Sequence, residues 1–480
     1  MVGGTTPGDE TRSRVRGAIP RGGPGLRVAI VGAGPAGFFA AAALLKEGAQ
    51  VDLYERLPAP FGLVRYGVAP DHQKIKRVAG AFDKIARAPG LRYLGNVEVG
   101  RDVSLAELRA HYDQVLVTIG AASDRRMGVP GEDLVGSVSA VSVVGWYNGH
   151  PDFPSGPPLD GPRAVVVGMG NVALDVARIL IRHSRELEPT DIDDDALRAL
   201  RGSKVREVVL LGRRGPAEAA FDLNELQELT RLVGVEVGVD APPGQLDEAL
   251  KARPRDGAAA AQVEFIAGLP RAEELTGHRR VLLRFLASPR ELRGDAVGRV
   301  RQLEIEHNEL EGAPGTARAR GTGRTSSLAA DLVIRAIGYR AVPLPELPFD
   351  AARAVVPNEG GRVLRDDGEV EPGLYVAGWI KRGPTGLIGT NKSCSLQTVH
   401  AMLEDAGRES FVRERETSAI GELLTARGVR VVDYDDWLAI DAAELEAGRE
   451  RGRARVKTRS TEELLQWLET PPRTSQGGVR

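Results

Sequence analysis

Two triplets of small residues, and the charges that answer them, carry most of the chemistry legible in this chain. In "VGAGPAGFF" Gly32, Gly34 and Gly37 follow an apolar run, and Glu55 closes the next apolar run. In "VGMGNVALD" Gly168, Gly170 and Ala173 repeat the spacing, but the apolar run that answers them ends in "GRRG", with Arg213 and Arg214. Glycines so spaced permit a tight turn, a close approach of backbone to a pyrophosphate, and close packing of helix on strand. The phosphate charge then rests on unpaired amides at a helix N-terminus, here with Pro35 and Ala36 in the first turn. A carboxylate at the following strand end accepts from ribose hydroxyls. Guanidinium groups there bind a ribose 2′-phosphate, which a carboxylate would repel. The first turn is therefore expected to hold FAD or NAD, and the second NADP.

His72, in "PFGLVRYGVAPDHQKIK" (60–76), is the main candidate for proton chemistry, since an imidazole can hold or pass a proton near neutral pH. It could equally be an anchor for its loop. Arg65, in the same stretch, is expected to be a structural or docking charge. Cys394 has no evident base nearby in sequence and is expected to be a small packing residue.

These residues need more than one fold to position them. At 480 residues the chain exceeds one ordinary core, and 42% hydrophobic with 27% charged residues are globular values. A formal net charge of −2 gives no general attraction to nucleic acid or anionic membrane, so neither partner is expected. The single cysteine excludes an internal disulfide and a paired-cysteine redox motif, and fits a reducing compartment. Val28 to Leu45 is uncharged and long enough to be weighed as a membrane helix, but GAGPAG inside it breaks that reading, and no span is expected. Residues 1 to 25 lack the apolar stretch of a secretory signal and are expected to be a disordered tail. That points to the cytoplasm, with an organellar matrix as the alternative if the arginines there form a leader.

Further apolar runs, "QVLVTIGA" (Gln114 to Ala121) and "DLVIRAIGY" (Asp331 to Tyr339), close on glycine where ligands of open α/β sheets lie. A third, "EPGLYVAGW" (Glu371 to Trp379), leads through a glycine turn into a helix from about Ser393. This late unit belongs with the first glycine turn. The expected architecture is α/β, with two Rossmann-like dinucleotide-binding domains: residues 26–122 and 341–480 form the FAD domain, and 123–340 form an inserted NADP domain. A tail of mixed helices follows from about 419. The acidic run "DIDDD" is expected to start a solvated helix around Asp194 to Leu200, and the basic run "GRERGRARVKTR" to line a solvated helix face. No metal ligand set is expected.

"PFGLVRYGVAPDHQKIK", "GVPGEDL…VVGWYNGHPD", "GNVALDVARIL", "LGRRGPAEAAF…ELQEL" and "AGWIKRGPTGLIGTNK" together resemble the adrenodoxin-reductase-type ferredoxin–NADP reductases, over about residues 26 to 475. The resemblance implies FAD in the first fold, NADP(H) in the second, and a ferredoxin or similar small iron–sulfur protein as partner to a monomer. Hydride would pass from NADPH to the flavin, and single electrons from flavin to cluster; a flavin converts one currency into the other. It further implies that Asn171 and Val172 meet the NADP pyrophosphate, Glu225 the nicotinamide-side ribose, and Gly378 and Trp379 the flavin and nicotinamide. Gly386, Leu387 and Ile388 would lie along the isoalloxazine, Leu63 beside the flavin, and Asp175 would act with His72. The opening Pro60–Lys76 stretch would run extended along the cofactor as one wall of its pocket. Where the family usually carries a basic, an acidic and later a glutamate residue after GTNK, this chain has Ser393, Cys394 and Gln397, a change that bears on partner docking and flavin potential. An NADPH-dependent flavin monooxygenase and an electron-input subunit of a larger complex are the alternative readings. A non-catalytic nucleotide sensor and a flavin disulfide reductase fit less well, the latter for want of a cysteine pair.

Overall fold

Val28, Ala29, Ile30 and Val31 are all buried, as a strand with neighbours on both edges and helices on both faces must be. In the computed structural model, which describes residues 25–240, 250, 257–408 and 418–469, they belong to strand Arg27–Val31 at the heart of a seven-stranded sheet. This strand pairs in parallel with Gln50–Tyr54 on one side and Gln114–Val117 on the other. Leu91–Leu94 extends one edge; Val370–Val376, Arg362–Leu364 and Asn358–Glu359 extend the other. One sheet thus takes strands from both ends of the chain.

A second, six-stranded sheet is built only from the middle: Ser137–Ser139, Leu332–Arg335, Arg163–Val167, Glu207–Leu211, Arg280–Arg284 and Glu236–Val239, in spatial order. All its pairings are parallel. The chain passes between the two sheets at a small antiparallel bridge, Ser123–Asp124 against Tyr339–Arg340. A three-stranded antiparallel sheet (Ala287–Gly294, Val300–Glu311, Arg318–Ala329) packs Leu292, Leu303 and Ile305 against Val165, Val167 and Val209 of the second sheet. The fold is the expected α/β pair of dinucleotide domains, one interrupted by the other.

Four local expectations are corrected. The late helix runs Ile388–Arg408, starting before Ser393, because it packs along helix Pro35–Lys46 and Ser395 Oγ donates to Ala36 O at 2.9 Å. The Pro60–Lys76 stretch is not extended: Leu63–Tyr66 and Gln73–Lys76 each make a helical turn. The basic run is no solvated helix face. After helix Tyr434–Glu450 it is a non-helical strap in which Arg451, Arg453, Lys457 and Arg459 pair with the acidic run of the second domain. The acidic run is accordingly not merely a solvated helix start: Asp193 caps helix Asp194–Arg201, and Asp191 lies buried between Lys76 and Lys457 at 2.7 and 2.9 Å. The tail expected over 1–25 lies, but for Gly25, outside the described residues.

Arg65 is structural. It is buried and paired with buried Glu444 at 2.6 Å, its guanidinium over the rings of Tyr66 and Trp437. Through that pair helix Tyr434–Glu450 clamps the Pro60–Lys76 segment, and Trp437 also meets Phe61 edge-on.

Candidate functional site

The first glycine turn leaves a helix N-terminus free for an anion. Helix Pro35–Lys46 is preceded by Gly34, with Pro35 in its first turn and no side chain capping its amides. A Cβ on Gly37 would stand 2.2 Å from Gly32 O, so helix and strand can cross this closely only without one. A Cβ on Gly34 would meet nothing within 4 Å, which leaves that face open to a ligand. Glu55 accepts from Ala33 N–H at 3.0 Å and Leu57 N–H at 3.3 Å, fixing its carboxylate beside the turn. Burial raises its pKa, and those two amides partly oppose the rise. Phe61 N–H donates to Ala33 O at 2.9 Å, and Gly62 presses on Gly34, so the Pro60–Lys76 stretch roofs the turn. Phe61 takes φ +81°, a strained conformation for a bulky residue and one that the roof imposes. Leu63, next in line, is 36% exposed.

The second turn repeats the plan with a different ending. Helix Asn171–Ile181 follows Gly170 with no side-chain cap, and a Cβ on Gly170 would again meet nothing within 4 Å. Gly168, at φ +138°, would bring a Cβ within 2.2 Å of Ala336 O. Asn171 accepts from Asp222 N–H at 2.7 Å, and Val172 is half-buried behind it. At the end of strand Glu207–Leu211, Arg213 is exposed; among the described residues no side chain bonds to its guanidinium, while Arg214 donates to Glu218 O at 3.2 Å. A cationic, unclaimed fork thus faces solvent where the first domain holds a carboxylate. Both turns fit the groups expected of them: open backbone and free amides for a pyrophosphate, an acceptor for a ribose diol in one, donors for a phosphate in the other.

An ionic cluster spans the two domains. His72 Nε2 lies 3.2 Å from Glu228 Oε2 and 3.6 Å from Glu225 Oε2, and Nδ1 lies 3.8 Å from Asp175 Oδ1. Arg178 is buried and bridges Asp71 at 2.7 Å and Asp175 at 2.6 Å; Arg182 pairs with Asp71 at 2.5 Å. Burial is the largest influence on Asp71 and would raise it, but the Arg178 hydrogen bond and charge, with His72 and Arg182, together outweigh it and hold this carboxyl low. Burial wins at Asp175, raised despite Arg178, and at Glu225, raised despite His72. Asp175 also acts electrostatically on Tyr339, whose ring lies 5.2 Å from that of Trp379.

Of the residues expected at a site, His72, Asp175 and Glu225 come together in this cluster, while Trp379 packs on Tyr339. Gly378, at the end of strand Val370–Val376, sits so close to the first turn that a Cβ would fall 2.8 Å from Ala36 Cβ. Gly386 and Leu387 are exposed just before helix Ile388–Arg408, Leu387 at 65%, and half-buried Ile388 begins that helix. Arg213 and Arg214 stand apart from the cluster, at the far end of the second turn. Cys394 is buried, its Sγ accepting from Gly378 N–H at 3.3 Å. Gln397 accepts from Lys381 Nζ at 2.9 Å, and Ser393 donates to Thr390 O. Sequence reasoning missed Asp71, Arg178 and Glu228. Arg178 follows Asp175 at helical i,i+3 spacing and Glu228 follows Glu225 likewise, so the shared faces were available; that both faces turn towards His72 was not.

Residues 26–215 match the pyridine nucleotide-disulphide oxidoreductase family. The NADPH-ferredoxin reductase FprA of Mycobacterium tuberculosis (strain ATCC 25618 / H37Rv) is 46% identical over 459 residues, which cover 91% of this chain and 98% of that protein. The mitochondrial NADPH:adrenodoxin oxidoreductase of Arabidopsis thaliana is 41% identical over 459 residues, covering 92% and 95%. The solved structure of M. tuberculosis FprA in complex with NADPH superposes with a TM-score of 0.86 at 44% identity, covering 92% of this chain and 99% of that one. On fold, site and likeness together, the chain belongs to the adrenodoxin-reductase-type ferredoxin–NADP reductases.

Proposed function

We propose that the protein is an NADPH:ferredoxin oxidoreductase with FAD and NADP(H) as cofactors and a ferredoxin-type iron–sulfur protein as electron acceptor. One observation carries the reading: two glycine turns of one construction end in opposite charges, a fixed carboxylate at Glu55 and an unclaimed guanidinium at Arg213. When bound, FAD accepts a hydride from NADPH and returns electrons singly to the acceptor, a conversion neither partner performs alone.

The chain's own residues bind and orient. The amides after Gly34 and Gly170 hold the two pyrophosphates, the second with Asn171 and Val172. Glu55 accepts from the adenosine ribose of FAD, Glu225 from the nicotinamide-side ribose, and Arg213 with Arg214 grips the 2′-phosphate. Leu63, Trp379 and the Gly386–Ile388 turn line the isoalloxazine and exclude water from it. His72, set between Glu228 and Asp175, presents a ring nitrogen to the nicotinamide carboxamide, with Asp175 as its orienting partner. Domain limits near 122 and 340 rest on the sheet membership of the strands and the bridge where the chain crosses.

The chain acts as a monomer, a reading that rests on the family resemblance. Among the described residues no helix is long and apolar enough to cross a membrane. A cytoplasmic location is supported by a single, reduced and buried cysteine.

The test is rapid mixing of the purified protein with NADPH and a ferredoxin from the same organism. The protein should be yellow, prefer NADPH to NADH, and reduce the ferredoxin at a rate that falls as salt rises. A colourless preparation or a marked NADH preference defeats the proposal.

A further inference from the structure

We infer that His72, Glu225 and Glu228 form a divalent transition-metal site, selective for ions such as Zn²⁺, that bridges the two domains and excludes NADP(H). One ligand atom from each of the three residues falls within 4.8 Å of the others. The finer distances match a bound ion. Zinc holds imidazole nitrogen and carboxylate oxygen at about 2.0–2.2 Å in tetrahedral array, which puts neighbouring donor atoms about 3.3 Å apart. The His72 nitrogen lies 3.2 and 3.6 Å from the two glutamate oxygens.

Position and charge point the same way. Glu225 and Glu228 share one face of helix Leu223–Thr230, while His72 comes from the other domain, just ahead of the Gln73–Lys76 turn. Asp71 and Asp175 already balance Arg178 and Arg182, so Glu225 and Glu228 bring excess negative charge to the imidazole. Arg178 reaches Glu225 only at 3.4 Å and keeps its two shorter partners if that oxygen turns to an ion. A cavity of about 300 Å³ opens on His72 and Glu228, with Asp71 and Glu186 set against Arg178, Arg182 and Arg231 on its wall, and leaves room for water in the remaining position. One imidazole and two carboxylates, without thiolate, suit Zn²⁺, Co²⁺ or Ni²⁺ better than Mg²⁺.

The exclusion of NADP(H) rests on the proposed role of Glu225 at the nicotinamide-side ribose: a carboxylate held by a metal cannot also accept from a hydroxyl. The site would make the enzyme inhibitable by metal without any metal in its chemistry.

The experiment is calorimetric titration of the flavin-loaded, chelator-treated protein with Zn²⁺, with and without saturating NADP⁺, beside Glu228→Gln and His72→Asn. Without NADP⁺, one Zn²⁺ per chain should bind, and each variant should weaken it at least tenfold. Glu228 is half-exposed, with 53% of its side chain open to solvent, so its amide variant is expected to fold. NADP⁺ should weaken Zn²⁺ binding in proportion to its concentration in the wild type. Variants that bind Zn²⁺ as tightly as the wild type overturn the site. Zn²⁺ binding that the variants abolish but NADP⁺ leaves unchanged overturns the exclusion, and NADP⁺ titrated alone tests the nucleotide reading separately.

Discussion

The two glycine turns are alike up to the helix they start, and differ in everything that closes over them. Around the first, Glu55 is pinned by two amides, Phe61 and Gly62 lie on the turn, and Gly378 presses on Ala36. Helix Ile388–Arg408 and the Arg65–Glu444 clamp then hold the cover down. Around the second, Arg213 is exposed and Gly170 faces open space. A cofactor that stays can be wrapped by distant parts of the chain; one that must leave every turnover needs its charge partner free in advance. The same backbone motif serves either purpose, and the wrapping decides which.

The comparison breaks most visibly at the glycines. Gly37→Ala would drive a Cβ to 2.2 Å from Gly32 O, inside one rigid packing of strand and helix. It should yield a protein without flavin, seen as loss of visible absorbance on purification. Gly168→Ala faces an equal clash with Ala336 O plus a φ of +138°, but in the inserted domain. It should stay yellow and lose NADPH binding. Loss of flavin from both variants would mean that the two turns are not independent.

The clamp comes next. Arg65→Met leaves Glu444 buried without its principal partner, though Arg455 still reaches it at 2.8 Å. Removing one member of a buried pair costs about 3–5 kcal/mol. Thermal release of flavin, followed by its fluorescence, should shift markedly downward in Arg65→Met and recover in part in Arg65→Met with Glu444→Gln. An unchanged release temperature would show that helix Tyr434–Glu450 does not hold the first turn closed.

At the second turn the effect is on selectivity. Arg213→Ala with Arg214→Ala removes charge-assisted bonds each worth about 1.5–3 kcal/mol. NADPH should weaken at least about a hundredfold, with NADH changed no more than a few fold. Arg213 should account for the larger share, because Arg214 already spends one donor on Glu218 O. Equal losses for both nucleotides would refute the 2′-phosphate role.

How far the sequence could be read follows the same division. Glycine spacing, apolar runs and the charge at each strand end are local, and they located both turns. The wrapping is not local. Arg65 and Glu444 belong to different ends of the chain, and nothing in "FGLVRYG" marks its arginine as buried. Glycine and proline suggested an extended path there, yet Leu63–Tyr66 is helical because Val64 and Tyr66 must turn inward under Trp437. The late helix begins before Ser393 for a similar reason: "GLIGTNK" reads as a turn until the face offered by helix Pro35–Lys46 is known.

The basic strap is the sharpest case, since each half of it looked like solvated charge when read alone. Arg451, Arg453, Lys457 and Arg459 alternate along a non-helical segment, and Asp191 to Asp195 offer the complementary charges on the inserted domain. Lys457 is the buried one, its pKa lowered by burial against the pull of Asp191, and it also donates to Arg65 O and Asn148 Oδ1. The outermost pair is another matter: Arg451 is 55% and Asp194 34% exposed in their side chains, so solvent screens them and their pair is worth about 0–1 kcal/mol. Asp194→Lys breaks this pair and also the one to Arg453, whose side chain is only 7% exposed, and should loosen the strap without unfolding the domains. Amide exchange should quicken in residues 451–459 and 190–195, more at low salt than at high, and Arg451→Glu added to it should slow exchange again. If exchange in the two segments does not change together, they are not one fastening, and Lys76, Asp191 and Lys457 hold this edge of the inserted domain without the outer pairs.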